Sequence, residues 1–491
     1  MLKKLFRESF IYGLSGYISK FISVFLLPLY TSALTPSDYG VLDLLNSVAV
    51  FSSFLIISGT DAAVGFYFFR REFQNEKKLM VSTGLILRMS FSLTIAVILV
   101  ILSPKLNNIL FTDDKSYLIQ LYSLYIASNA IYFFTTELLR FEMKPWIYTV
   151  FTTGNVLLNI LSAVYFVLIL QMGVLGAILA SIISYSFFAI SGIIYIVKNY
   201  QLHFSLKWIK YILAFGTPLI GTAVANWVLN YSDRYFLNYL SGLNQIGIYS
   251  VGIKVASILA MFSGAIQMSW GPFAADIQYE PNAKIIYAKV FQIYFILNII
   301  LVFNVSLFAE EILMLFTQPA YYPAKSLIPI LCFSYVFIGA YFIANAGIGL
   351  TKKLHHTIWI TIIAAAVNIA INSLLTPLFL AKGSAVAILA ANFTIFFLTL
   401  LTSQKYYRIG YKYGLIIILM STSSLLIWVS NAFDLKTSIK ISVDFLYMGI
   451  VIFYLYKNYK DSEDFRKIVE KYRKLRGKRI SVEEEFKSSE P

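Results

Sequence analysis

Charge is scarce in this sequence. Of its 491 residues, 13% are Asp, Glu, Lys or Arg, about half the share found in a soluble globular domain. Polar linkers are scarce too. A soluble chain of this length divides into domains joined by polar segments, yet none occurs before residue 457. Together these absences exclude a soluble enzyme, a secreted domain and a nucleic-acid binder. Cysteine occurs once, as Cys332 in an apolar run, so no internal disulfide can form. The three histidines, His203, His355 and His356, stand in short basic loops without acidic or cysteine companions at metal-ligand spacing. Neither a metal nor a cofactor is expected.

What abounds is apolar. Hydrophobic residues make up 58% of the chain and aromatics 17%, with a mean hydropathy of +0.72. Runs of about 20 nearly uncharged residues recur, each long enough to cross a bilayer as a helix. Fourteen are expected, near 9–30, 41–66, 82–103, 117–139, 147–169, 173–197, 211–231, 245–268, 287–309, 325–349, 356–378, 384–402, 414–430 and 440–456. The first run is too long for a cleaved signal peptide, lacks a small-residue cleavage site and contains Pro28.

Lysine and arginine test this map. With a cytoplasmic N-terminus, thirty of the 40 fall on the cytoplasmic side, seven on the other, and Lys20, Arg88 and Lys254 within spans. That is the bias of the positive-inside rule, and it puts both termini in the cytoplasm. It also accounts for most of the net charge of +15. The tail at 457–491 reads as a solvated, helical extension that orients the protein and touches anionic lipid with its basic part.

A repeat lies inside the chain. Asp38-Tyr39-Gly40-Val41-Leu42 and Gln245-Ile246-Gly247-Ile248-Tyr249 each follow a short outer loop and open a span. The spacing of about 200 residues equals six spans, an even number, so the two copies keep the same orientation. The expected architecture is all-α, with two six-helix lobes related by a pseudo-two-fold along the membrane normal. The lobes are 1–205 and 206–405, followed by an added helix pair at 406–456. Two lobes around such an axis enclose a cleft that can open to either side.

Polar stripes at helical spacing mark the faces turned away from lipid. Span one carries Ser9, Gly13, Gly16, Lys20 and Ser23. Lys20 lies about 17 Å into that helix, too deep to snorkel easily, so it needs a wet cavity or a carboxylate. Span two offers Asp43, Asn46, Ser47 and Asp61; span seven offers Thr222, Asn226 and Asn230, then Asp233-Arg234 at its outer mouth. Lys254 of span eight stands opposite Ser47 in the repeat alignment. Asp61 is expected to pair with Arg70 or Arg140 as a gate, and Arg88 to snorkel to the interface. Tyr122, Tyr125, Asn129, Tyr132 and Thr136 make a stripe down span four that suits either sugar stacking or helix packing. Pro28 and Pro218 are candidate hinges in symmetry-related spans.

The motifs Ser9-Phe10-Ile11-Tyr12-Gly13, Thr35-Pro36-Ser37-Asp38-Tyr39-Gly40, Gly59-Thr60-Asp61 before an aromatic-Arg-Arg exit, and Tyr231-Ser232-Asp233-Arg234-Tyr235-Phe236 followed by Ile246-Gly247-Ile248-Tyr249-Ser250-Val251 resemble a known family. It is the Wzx-type oligosaccharide-lipid flippases of the multidrug/oligosaccharidyl-lipid/polysaccharide exporter superfamily. The resemblance covers about residues 1–456. It implies a two-lobed transporter of the bacterial inner membrane that moves a polyprenyl-diphosphate-linked oligosaccharide to the outer leaflet. Cationic cleft residues would hold the anionic head, for which Lys20, Lys254 and Arg234 match by helix position, with Asn46, Asn226 and Asn230 lining the cleft. Membrane lipid, a polysaccharide polymerase and chain-length proteins are the candidate partners.

Two rival classes remain at this point. A membrane glycosyltransferase or polymerase needs an active site in a sizeable outer loop, and the outer loops are all about 15 residues or shorter; Asp113-Asp114 reads as a solvated turn. A cation-coupled drug exporter of the same superfamily would want a buried carboxylate and few cleft cations. Lys20 and Lys254 argue against it.

Overall fold

A computed structural model describes residues 22, 25–200, 202–351, 353 and 355–459. Every regular element among them is helical. The first is a short helix, α1 (Leu26–Ala33). Thr35 then caps α2 (Pro36–Ile57) in a reciprocal box. Its hydroxyl accepts the Asp38 amide at 3.2 Å, and the Asp38 carboxylate accepts the Thr35 amide at 3.1 Å, with Pro36 in the first turn.

The expected continuous span 41–66 is broken. α2 stops where Ser58 and Gly59 both turn left-handed, at φ 41° and 67°, and α3 (Thr60–Phe68) restarts after them. A Cβ on Gly59 would come 2.4 Å from the Gly216 Cα. Only glycine satisfies both that φ and that approach. The hydrophobic run hides the break, because periodicity reports faces and not dihedrals.

A 3₁₀ turn (Arg71–Glu76) leads to α4 (Lys77–Leu110), α5 (Ser116–Phe141), α6 (Pro145–Ala163) and α7 (Gly173–Tyr200). The second half of the chain begins with α8 (Leu206–Ser241) and α9 (Leu243–Asp276). It continues with α10 (Ala283–Leu307), α11 (Ala309–Phe316), α12 (Ile328–Ala344), α13 (Ala346–Leu350), α14 (His355–Phe379) and α15 (Ala381–Tyr406). Two more follow, α16 (Tyr413–Ala432) and α17 (Thr437–Tyr459). The chain divides into two compact units, one ending at Thr422 and the other starting at Ser423.

Among the described residues ten helices are long and apolar enough to cross a membrane, or eleven if α8, bent by 40° at Pro218, counts as one span. The count of fourteen is not reached among the described residues. The first expected span lies largely outside them. α5 and α17 are long helices but carry more polar side chains, including Asn129, Glu137 and Arg140 on α5. The apolar faces build the core: Ala63, Val64, Phe68, Met80, Leu85 and Phe134 pack with Trp208 and Ile212 at the start of α8. This cluster joins residues from both sides of position 205.

Candidate substrate cleft

The site is built on the crossing of α2 and α9, the two helices that carry the repeat. Pro36, Gly40, Asp43 and Ser47 share one face of α2. Leu243, Gly247, Ser250 and Lys254 share one face of α9 at the same spacing. Contacts across the crossing exchange partners as a two-fold axis requires. A Cβ on Gly40 would sit 2.1 Å from the Leu243 carbonyl oxygen, and one on Gly247 would sit 1.8 Å from that of Pro36. One turn further on, the Ser250 hydroxyl donates to Asp43 at 2.7 Å, across a separation of 207 residues. The paired glycines remove the side chains that would hold two helices at 8–10 Å, so backbone meets backbone.

Arg234 of α8 closes the same seam. It is buried, with its Nε donating to Asp43 at 3.0 Å. Its Nη1 donates to Asp233 at 2.7 Å and to the Asn230 carbonyl at 2.6 Å. Tyr231 and Tyr249 place rings 4.9 and 5.4 Å from the guanidinium carbon, and the Tyr249 hydroxyl donates to Asp233. Trp227 Nε1 donates to the Ser47 carbonyl at 2.9 Å, and the Tyr235 hydroxyl meets Ser47 Oγ at 3.0 Å. Tyr231, Tyr235 and Tyr249 stand out in the sequence only as members of the family motifs, and Trp227 not at all.

The other expected cleft residues are spread more widely. Lys254 is exposed, and no carboxylate meets it among the described residues. Lys20 lies outside the described residues. Asn46 lies beside Tyr231. Asn226 and Asn230 each donate to the carbonyl four residues back, at 2.9 and 2.8 Å.

The expected partners of Asp61 are corrected. Asp61 pairs with Arg88, which also donates to the Thr60 hydroxyl at 2.7 Å. Arg88 is fully buried and does not snorkel. The reason is the helix break: restarting at Thr60 puts Asp61 in the first turn of α3, facing α4 rather than the end of the span. Arg140 pairs with Glu137 at 2.8 Å on its own helix, and Arg70 lies over the Phe66 ring at 4.4 Å. Pro28 falls in the first turn of α1, where no interior hydrogen bond is lost, and residues 23 and 24 before it lie outside the description.

At the far end of α2 the seam closes again. Gly59 meets Gly216, and Phe66 stacks on Phe215 at 4.9 Å. Lys207 pairs with Glu76 at 2.9 Å, and Trp208 Nε1 donates to the same carboxylate at 2.8 Å. Nineteen residues separate Gly40 from Gly59, about 28 Å of helix, close to the thickness of a hydrocarbon core. The two halves therefore touch at both ends of one membrane-deep seam.

Residues 33–317 match the family of polysaccharide biosynthesis proteins. The chain belongs to that family. An uncharacterized membrane protein of Methanocaldococcus jannaschii is 22% identical over 92% of this chain and 95% of its own length. Among solved structures, the lipid II flippase MurJ in an inward closed conformation superposes with a TM-score of 0.74 at 13% identity, covering 91% of this chain and 99% of that one. An inward-facing multidrug resistance MATE transporter of the MOP superfamily gives 0.63 at 17% identity, covering 83% and 99%. The chain is a multi-pass membrane protein with the fold shared by these transporters.

Proposed function

We propose that this chain is a flippase that carries a polyprenyl-diphosphate-linked oligosaccharide from the cytoplasmic to the outer leaflet by alternating access, for cell-surface polysaccharide synthesis. The observation that supports it most is the repeat-related seam of α2 with α8 and α9, held at both ends by contacts that can part. In this reading 1–205 and 206–405 are rocking lobes, 406–456 an added helix pair and 457–491 a cytoplasmic tail. Lys20 and Lys254 take the diphosphate, and Arg234 joins them once Asp43 releases it. Asn46, Asn226 and Asn230 turn their amides to the sugar. Pro218 bends where the lobes hinge, with Pro28 as its counterpart. The lysine and arginine bias supports a cytoplasmic-membrane protein with both termini inside. The work is translocation without bond chemistry, upstream of a polymerase and chain-length proteins.

The drug-exporter alternative wants a buried carboxylate free to take a cation. Asp43, Asp61 and Asp233 all lie on arginines instead. The test uses sealed proteoliposomes holding a fluorescent polyprenyl-diphosphate sugar. Protein-dependent movement of that lipid between leaflets is the expected result. Ion-coupled efflux of organic cations, with no lipid movement, would favour the exporter instead.

A further inference from the structure

α5 carries an array that neither seam nor gate explains. Tyr122, Tyr125, Asn129 and Tyr132 follow one another on one face, and Tyr185 of α7 meets it. Ring centroids are 4.7 Å apart for Tyr122–Tyr125, 5.1 Å for Tyr125–Tyr185 and 5.2 Å for Tyr132–Tyr185. Ser128 and Ser186, 2.9 Å apart, tie the two helices beside the rings. Asn129 donates its amide to the Tyr125 hydroxyl at 2.8 Å. Its carbonyl oxygen is buried and has no partner among the described residues, in a residue 9% exposed. Among the described residues the Tyr122, Tyr132 and Tyr185 hydroxyls find no hydrogen-bond partner either.

Helix packing alone does not ask for this. Phenylalanine would fill the same space without hydroxyls to satisfy, and the chain uses phenylalanine 41 times. A buried carbonyl left unpaired is costly unless water or a ligand meets it, and the tyrosine hydroxyls, which are not fully buried, stay open to the same partner. The array holds no charged side chain. Asp43, an electrostatic neighbour of Tyr122, is already taken by Arg234 and Ser250. Among the described residues an ionic ligand has nothing to pair with there, whereas a sugar offers hydroxyls as donors and acceptors and C–H faces for the rings.

We propose that Tyr122, Tyr125, Asn129 and Tyr185 form a glycan subsite that reads the sugar of the translocated lipid, apart from the cations that take its diphosphate. This rests on the flippase reading. The subsite would contribute selectivity for the head group, with the Asn129 carbonyl and the Tyr125 hydroxyl as its polar contacts.

The test compares two probes, undecaprenyl diphosphate and undecaprenyl-diphosphoryl-N-acetylglucosamine, bound to the full chain in lipid nanodiscs and followed by native mass spectrometry. The wild-type chain should prefer the sugar-bearing lipid by about three- to tenfold, the worth of one neutral hydrogen bond. Tyr125→Phe, which keeps the ring, and Asn129→Leu should lose that preference while binding the bare lipid as wild type does, which also reports an intact fold. Equal binding of the two probes by wild type, or an undiminished preference in Tyr125→Phe, overturns the subsite and leaves the flippase reading standing. Binding of neither probe overturns both.

Discussion

Arg234 reaches Asp43 across 191 residues of sequence, its Nε 3.0 Å from the carboxylate. With Asp233 on its other side, the guanidinium has two carboxylates and the trio carries one net negative charge. From sequence, Arg234 reads as a free cation at the outer mouth. In the structure it is a latch between α2 and α8, and in the proposed flippase an arriving diphosphate must displace Asp43 to use it.

The latch makes an asymmetric prediction about stability. Arg234→Ala leaves the buried Asp233 and the half-buried Asp43 without their cation, and breaking a buried pair this way costs about 3–5 kcal/mol. Asp43→Asn leaves Arg234 held by Asp233 and the Asn230 carbonyl, so its melting temperature in detergent should fall much less. Equal losses in the two variants would contradict the pairing.

The Gly40–Gly247 contact predicts that alanine at either position pushes α2 from α9. Spin labels at Ser37→Cys and Asn244→Cys, in a Cys332→Ser background, would read the separation by pulsed electron resonance. Both Gly40→Ala and Gly247→Ala should move the distribution to longer distances and slow transport. An unchanged distribution in either would mean the backbone contact is absent in the membrane.

Asp61 and Arg88 predict a structural phenotype. Asp61→Asn leaves a buried guanidinium held by Thr60 and, at 3.4 Å, by the Ala130 carbonyl, and should lower stability by about 3–5 kcal/mol. Asp61→Leu combined with Arg88→Met should recover much of the loss, as apolar replacements of buried pairs often do. Thermal unfolding of the three variants checks the order. A double variant no more stable than Asp61→Asn would mean the charges are needed for themselves.

Much of this was readable beforehand, for definite reasons. A membrane imposes long apolar runs, so helices such as α7, α9 and α10 announce themselves by composition. The repeat was visible in Gly40 and Gly247 because a close approach tolerates only glycine at both members. The break at Ser58-Gly59 was not readable. Its dihedrals serve a contact with Gly216, over 150 residues away, and no local pattern encodes that. The Arg88–Asp61 pair followed the break out of view. Arg234 was found as a residue and missed as a latch, since a sequence shows a cation but not which carboxylates fold onto it.

The proposed cleft role of Lys254 predicts an effect on transport without one on stability. This lysine continues the seam face of α9 past Ser250, exposed and without a carboxylate among the described residues. Lys254→Ala should lower lipid movement in proteoliposomes while expression and melting stay as wild type, and Lys254→Arg should keep more activity than Lys254→Gln. An alanine variant as active as wild type would remove this lysine from the cleft.

The driving force follows from counting charges. A diphosphate head carries about two negative charges, and the cytoplasmic side of an energised membrane is negative. Moving one charge across 100 mV is worth about 2.3 kcal/mol, so a full cycle that exports the head gains roughly 4–5 kcal/mol, about a thousandfold bias. Protein charges return to their starting place each cycle and cannot change that total. They divide it between the loaded and the empty step. With Lys20 and Lys254 in the cleft as proposed, these two and Arg234 against Asp43 and Asp233 leave one net positive charge, so the loaded cleft would carry one net negative charge outward and the empty cleft one positive charge inward. Both steps then run with the field. Lys254→Gln removes the charge from the empty cleft, which should make its return insensitive to voltage and leave the final distribution of lipid unchanged. Sealed proteoliposomes under a potassium diffusion potential, without sodium or pH gradient, give both the rate and the end point. Transport that ignores the potential and demands an ion gradient would overturn this account.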